Sequence, residues 1–133
     1  MVRKYIHIQC EEYALLTDIE HVEQVVNEDA VMTDGKTFVW QKKKLPYLDL
    51  TAILMGTQGK NRHCIIMKDT AAGEQYLAVG VGQVSNIQTI KDEEFEDLPS
   101  LDFPFNDYFD KAYISKKDKR CIYRLKSLFA IEN

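Results

Sequence analysis

Cysteine is scarce in this chain and poorly spaced for chemistry: Cys10, Cys64 and Cys121 stand far apart, and no CxxC pair occurs. That argues against a disulfide framework and against structural zinc, and points to a reducing, cytoplasmic compartment. Basic charge is not in excess either. With 17 Lys and Arg against 21 Asp and Glu the net charge is -4, so a general affinity for nucleic acid or anionic membrane is not indicated. No apolar run approaches the roughly 18 residues that span a bilayer. Arg3 and Lys4 open the chain, but Gln9, Glu11 and Glu12 interrupt the apolar positions behind them, and no signal segment is expected. With six glycines and three prolines there is no low-complexity linker, nor any internal repeat. What is present is an ordinary globular composition, 45% apolar and 29% charged over 133 residues. One domain, 1–133, is expected.

Period-two alternation dominates. Ile6, Ile8 and Cys10 alternate with Tyr5, His7 and Gln9, Glu11-Glu12 makes a turn, and Tyr13 to Leu16 returns. Asp18 is placed to cap a short helical turn, after which Val22, Val25 and Val26 favour a strand. Thr37 to Trp40, Cys64 to Met67 and Gln75 to Val81 are further strands, and Tyr108–Ile114 with Arg120–Tyr123 is a last hairpin. The spacing of Val84, Ile87 and Ile90 does not decide strand against helix. Asn27 to Asp29, Thr33 to Lys36 and Asp69 to Gly73 are turn or loop clusters, and Leu98 to Asp107 with its two prolines is expected to be irregular. Leu125, Leu128 and Phe129 suggest a short closing helix. Many short strands with turns about every ten residues indicate an all-β barrel or sandwich.

The most informative segment is Leu45-Pro46-Tyr47-Leu48-Asp49-Leu50 with Thr51 to Gly56. Pro46 suits a strand start or edge, because it lacks an N–H. Asp49 or Thr51 can cap a helical turn, and Gly56 can end it in the left-handed region. The segment reads as strand, cap, helical turn and stop.

Chemistry is harder to find. His7, His21 and His63 are scattered without ligand-type partners. His63 and Cys64 are adjacent on a strand and so point to opposite faces, which leaves Cys64 a core residue. Gly80-Val81-Gly82 is a fragment of a phosphate loop; a strand with a close backbone approach is favoured. The acidic run Asp92 to Asp97 lacks the ligand order of a calcium loop and reads as a solvated loop. No enzyme motif, metal site or cofactor site emerges.

The LP-x-x-DL segment resembles the middle of CheW-like chemotaxis coupling domains, and the resemblance runs along most of the chain. Val22-Glu23-Gln24-Val25 matches a V-x-E-V element, Lys36 to Leu50 a G-V-x-N-x-R-G-x-x-L-P-x-x-D-L block, and Ala78 to Val84 a G-x-x-V-D-x-V run. An acidic stretch before Pro99 and the final hairpin come after these in the same order. The chain departs from that pattern at Gln41-Lys42 in place of Arg-Gly, at Gln24 in place of Glu, and at Gly82 in place of Asp. It also lacks the proline-rich approach between Val26 and Thr37.

The resemblance implies two intertwined five-stranded Src-homology-3-like barrels with short helices and no catalysis or cofactor. It implies an adaptor that binds the regulatory domain of a CheA-type histidine kinase and the cytoplasmic tip of a methyl-accepting chemoreceptor. The receptor contact is expected where Gln41 replaces Arg. Partner-binding residues are expected in the valine element (Val22, Gln24, Val25) and in Phe38, Trp40, Gln41, Lys42 and Lys43. For Trp40 a barrel-core position is an equal expectation, and Lys42 to Lys44 also suit protection of a strand edge. The alternative is a small RNA-binding barrel using the lysines around Lys42 and from Lys111 to Lys126, with Trp40 and Tyr123 as stacking platforms.

Overall fold

A computed structural model describes residues 1–27, 37–56, 61–69, 75–98 and 105–126. The chain order begins β1 (Val2–Cys10), β2 (Tyr13–Asp18), a 3-10 turn (Ile19–His21), β3 (Val22–Asn27), β4 (Thr37–Trp40), β5 (Lys43–Asp49) and α1 (Leu50–Met55). It continues with β6 (His63–Lys68), β7 (Tyr76–Val81), β8 (Gln83–Lys91), a 3-10 turn (Asp92–Glu94), β9 (Phe95–Asp97), α2 (Phe105–Tyr108), β10 (Phe109–Ile114) and β11 (Cys121–Leu125).

The strands form two curled sheets of the double-barrel, Src-homology-3-like kind. One has the order β8-β1-β2-β11-β10-β9 and the other β3-β6-β7-β5-β4. The first sheet therefore has six strands where five are expected, and it takes strands from both halves of the chain. The second is made wholly of the middle segment, inserted between β2 and β8. Each sheet holds one parallel pairing, β2 with β11 and β5 with β7. The second needs a crossover, which α1 and β6 supply.

The alternation of side chains explains why so many strands are apolar on both faces. In β6, Ile65 and Met67 face one cluster and Cys64 and Ile66 another. In β2, Leu15 faces the same shared cluster, while Ala14 and Leu16 line the inside of the first barrel with Tyr5, Ile90, Tyr113 and Ile122. The shared cluster lies between the sheets and includes Ile6, Ile8 and Cys10 from β1, Leu50 and Leu54 from α1, and Val79 and Val81 from β7. A strand that lines a barrel with one face and the inter-barrel core with the other reads as a continuous apolar run. Burial pushes the Cys10 thiol above its ordinary pKa, which keeps it neutral in that core.

Local signals account for the element ends. Asp18 accepts from the Glu20 N–H at 3.0 Å and caps the first 3-10 turn. Asp49, rather than Thr51, caps α1 through the Ala52 N–H at 3.0 Å, and Gly56 closes the helix at φ 77°. The Asp49 carboxylate also accepts from Asn61 Nδ2 at 2.9 Å, tying the helix start to the segment before β6.

Two expectations are corrected. The acidic run is not a loop: Lys91 ends β8, Asp92–Glu94 form a 3-10 turn and Phe95–Asp97 form β9. The Phe95 ring drives this by packing edge-on against Tyr5 (5.3 Å) and Tyr113 (6.1 Å), while Asp97 pairs with Lys111. The segment expected to be irregular includes α2 at Phe105–Tyr108. The turn clusters in 28–36, the loop at 70–73, both prolines of 98–107 and the closing-helix positions 128 and 129 lie outside the described residues.

Candidate functional site: the seam between β3 and β4

The second sheet begins at β3 and ends at β4, so these strands are its two edges. Curling brings the edges together. Trp40 Nε1 in β4 donates to Gln24 Oε1 in β3 at 2.9 Å. Val26 of β3 packs against the cluster formed by Phe38, Trp40, Leu45, Cys64, Ile66 and Ala78. The barrel is thus closed at this seam by a side-chain hydrogen bond and apolar contact.

The expected partner residues fall into two groups around the seam. Phe38 is fully buried and Trp40 is 7% exposed, so both belong to the barrel core, and the core position holds for Trp40. Phe38 stacks on Tyr47 at 6.1 Å and Trp40 lies 5.2 Å from Tyr76. Gln24, Gln41, Lys42 and Lys43 are exposed, and Val22 and Val25 are half-buried, leaning on the inter-barrel core. Lys43 Nζ lies 5.9 Å from the Tyr76 ring centre, which places its charge at the rim of the aromatic group. Val39, between the two buried aromatics, points outward and is 42% exposed. Sequence reasoning passed over Val39, because Phe38-Val39-Trp40 is apolar throughout and gives no sign of which face is outward.

The hairpin tip is strained. Trp40 pairs with Lys43, leaving a two-residue turn in which Gln41 (φ 49°) and Lys42 (φ 65°) both have positive φ. Such a turn matches the twist of the strands but favours Asn-Gly or similar pairs. A side chain held there costs on the order of 1–2 kcal/mol per residue. Lys42→Gly is therefore expected to raise stability by about 0.5–1 kcal/mol, after allowing for the greater freedom glycine gives the unfolded chain. A urea midpoint unchanged or lowered would show that the Lys42 side chain makes a compensating contact.

The other sequence candidates are accounted for structurally. His63 Nδ1 accepts from the Val84 N–H at 3.2 Å, and His7 Nε2 bonds Gln88 Oε1 at 2.6 Å. Gly80 and Gly82 are places of close approach, the first against Tyr47 and the second against the Gln9 carbonyl. Tyr123 is half-buried against the inter-barrel core, and with Trp40 buried neither ring is an open stacking platform. Among the described residues no cluster of three or more His, Cys, Asp or Glu is placed to hold a metal ion. No described helix is long and apolar enough to cross a membrane.

Two curled sheets sharing a packed core, the second closed at the seam between its edge strands, define an all-β double-barrel class of fold. Within that class the fold is CheW-like. The chain matches the crystal structure of the scaffolding protein TtCheW from Thermoanaerobacter tengcongensis with a TM-score of 0.77 and 21% identity, over 100% of this chain and 94% of that one. No family model matches the chain, and no curated protein does.

Proposed function

We propose that this protein is a non-catalytic adaptor of a chemosensory pathway, coupling a CheA-type histidine kinase to methyl-accepting chemoreceptors in the cytoplasm. The observation that carries the proposal is the likeness in fold, over 100% of this chain and 94% of the other, to a scaffolding protein. The exposed side chains of the hairpin beside the seam support this reading. On the β4–β5 hairpin the exposed Val39 lies in the same short segment as the exposed polar and basic positions Gln41, Lys42 and Lys43. Such a patch suits a partner with a complementary acidic rim, since rim charges steer encounter and fix register.

The test is calorimetric titration against the regulatory domain of each CheA-type kinase of the same organism, and then against the receptor tip. Saturable one-to-one binding at about 1 μM or tighter supports coupling, a free energy near -8 kcal/mol. No heat and no co-elution from a folded sample would sink it. Reversing charge at the rim with Lys42→Glu and Lys43→Glu is expected to weaken binding of one partner by about tenfold, mainly through association rate, at unchanged stability. Unchanged binding of both partners would move the contact away from this hairpin.

A further inference from the structure

The basic loop Ser115–Arg120 joins β10 to β11 and carries four cations and one anion in a chain that is acidic overall. It overhangs a cavity of about 340 Å³ between the loop, β1 and β8. The cavity wall carries hydrogen-bonding side chains, His7, Gln9, Ser85, Asn86, Gln88 and Ser115, over an apolar floor of Ile8, Ala14 and Ile122. A bulge produces it. Between the pairs Ile6–Ile87 and Ile8–Val84, His7 alone of β1 faces both Ser85 and Asn86 of β8. Bulges of this kind redirect side chains and are enriched beside functional sites.

Several cations of this barrel are held in ion pairs. Arg3 is paired with Asp18, Lys111 with Asp97 and Arg124 with Asp110. Lys117 and Arg120 line the cavity, and neither forms an ion pair among the described residues. The guanidinium of Arg120 donates instead to the neutral Gln9 Oε1 at 2.8 Å. Asp118 also borders the cavity; its carboxylate accepts from the Arg120 backbone N–H at 3.2 Å and from the Ser115 hydroxyl, and its charge attracts the Arg120 guanidinium without an ion pair. Glu11 and Glu12, in the neighbouring turn, do not line it.

We propose that this cavity is a binding site for a small phosphorylated polyol, of the sugar-phosphate class. The phosphate sits on Lys117 and Arg120, with charge-assisted bonds to a guanidinium not committed to a carboxylate. The amide and hydroxyl wall takes the hydroxyls, because such groups both donate and accept. No Phe, Tyr or Trp lines the cavity, so nothing there stacks on a nucleobase. The volume lies at the lower end of small-ligand pockets and holds one sugar unit rather than a polymer.

The experiment is a backbone-amide NMR titration of the full chain with glucose 6-phosphate, glucose, inorganic phosphate and a single-stranded oligonucleotide. Saturable shifts confined to 83–88 and 115–120 are expected for glucose 6-phosphate, with affinity about tenfold above that for glucose or phosphate alone. Arg120→Gln is expected to weaken binding by about tenfold, and Lys117→Gln, in the exposed loop, by somewhat less, both with native unfolding midpoints. Should Arg120→Gln disturb the fold, Lys117→Gln carries the test. Phosphate binding as tightly as glucose 6-phosphate would overturn the polyol assignment, tighter oligonucleotide binding would make the loop a nucleic-acid contact, and no localised shift up to about 10 mM would remove the site.

Discussion

Trp40→Ala is expected to destabilise the protein by about 3–5 kcal/mol, enough to take a third or more from a domain of ordinary stability. The ring fills the second barrel beside Phe38, Leu45 and Ile66 at 7% exposure. Removing it leaves a cavity under an edge strand and strips Gln24 of its partner across the seam. Trp40→Phe keeps most of the volume and loses the N–H, and is expected to cost about 1–2 kcal/mol. Gln24→Ala is expected to cost about 1 kcal/mol, and the double variant less than the sum, because both single changes remove one bond. Urea unfolding of the four proteins measures the coupling. A Trp40→Ala protein within about 1 kcal/mol of native and defective only in partner binding would return Trp40 to the surface.

The two roles of Trp40 could not be separated in the sequence, and the reason is physical. Alternation places Phe38 and Trp40 on one face of β4, but which face is inward depends on how far the sheet curls. The curl is fixed by Gln24 and Val26, which lie more than ten positions earlier in the chain. What was legible was local. Asp18, Asp49 and Gly56 declare their caps and stop through side-chain and backbone chemistry within four residues. The turn of helix into a strand at Ile19–Val26 and the final hairpin were legible for the same reason. The continuous apolar run Cys64 to Met67 signalled a strand buried on both faces, though not that its faces serve two different cores.

Strand β8 shows where periodicity itself fails. Val84 and Ile87 are three apart, a spacing that in an unbroken strand puts them on opposite faces. The bulge at Ser85-Asn86 inserts one residue and restores them to the face that β1 presents with Ile6 and Ile8. Ile90, three further with no bulge between, returns to the opposite face and joins Tyr5 and Leu16. The same insertion builds the polar cavity, so the feature that blurred the pattern also made the candidate ligand site. Nothing in His7, Ser85 or Asn86 taken singly points to it, since their meeting depends on pairing across about eighty residues of chain.

The contrast among three glycines gives the second large effect. Gly82→Ala is expected to cost about 3 kcal/mol, because its new Cβ would overlap the Gln9 backbone carbonyl in the neighbouring strand. Backbone cannot rotate away as a side chain does, and β1 is held on both sides by β2 and β8. Gly80→Ala meets side chains instead: the Tyr47 hydroxyl most closely, then Tyr47 Cζ at 2.7 Å and Asn61 Nδ2 at 2.9 Å. Relief there requires the Tyr47 ring to leave its stack on Phe38, at about 1–3 kcal/mol. Gly56→Ala meets no atom within 4 Å, and its cost is only that of a side chain at φ 77°, about 1–2 kcal/mol. Urea midpoints of the three variants should therefore fall furthest for Gly82 and least for Gly56. If Gly82→Ala is as mild as Gly56→Ala, β1 and the corner between β7 and β8 are not in close contact at this point. The reading of Gly80-Val81-Gly82 as a place of close approach would then fail with it.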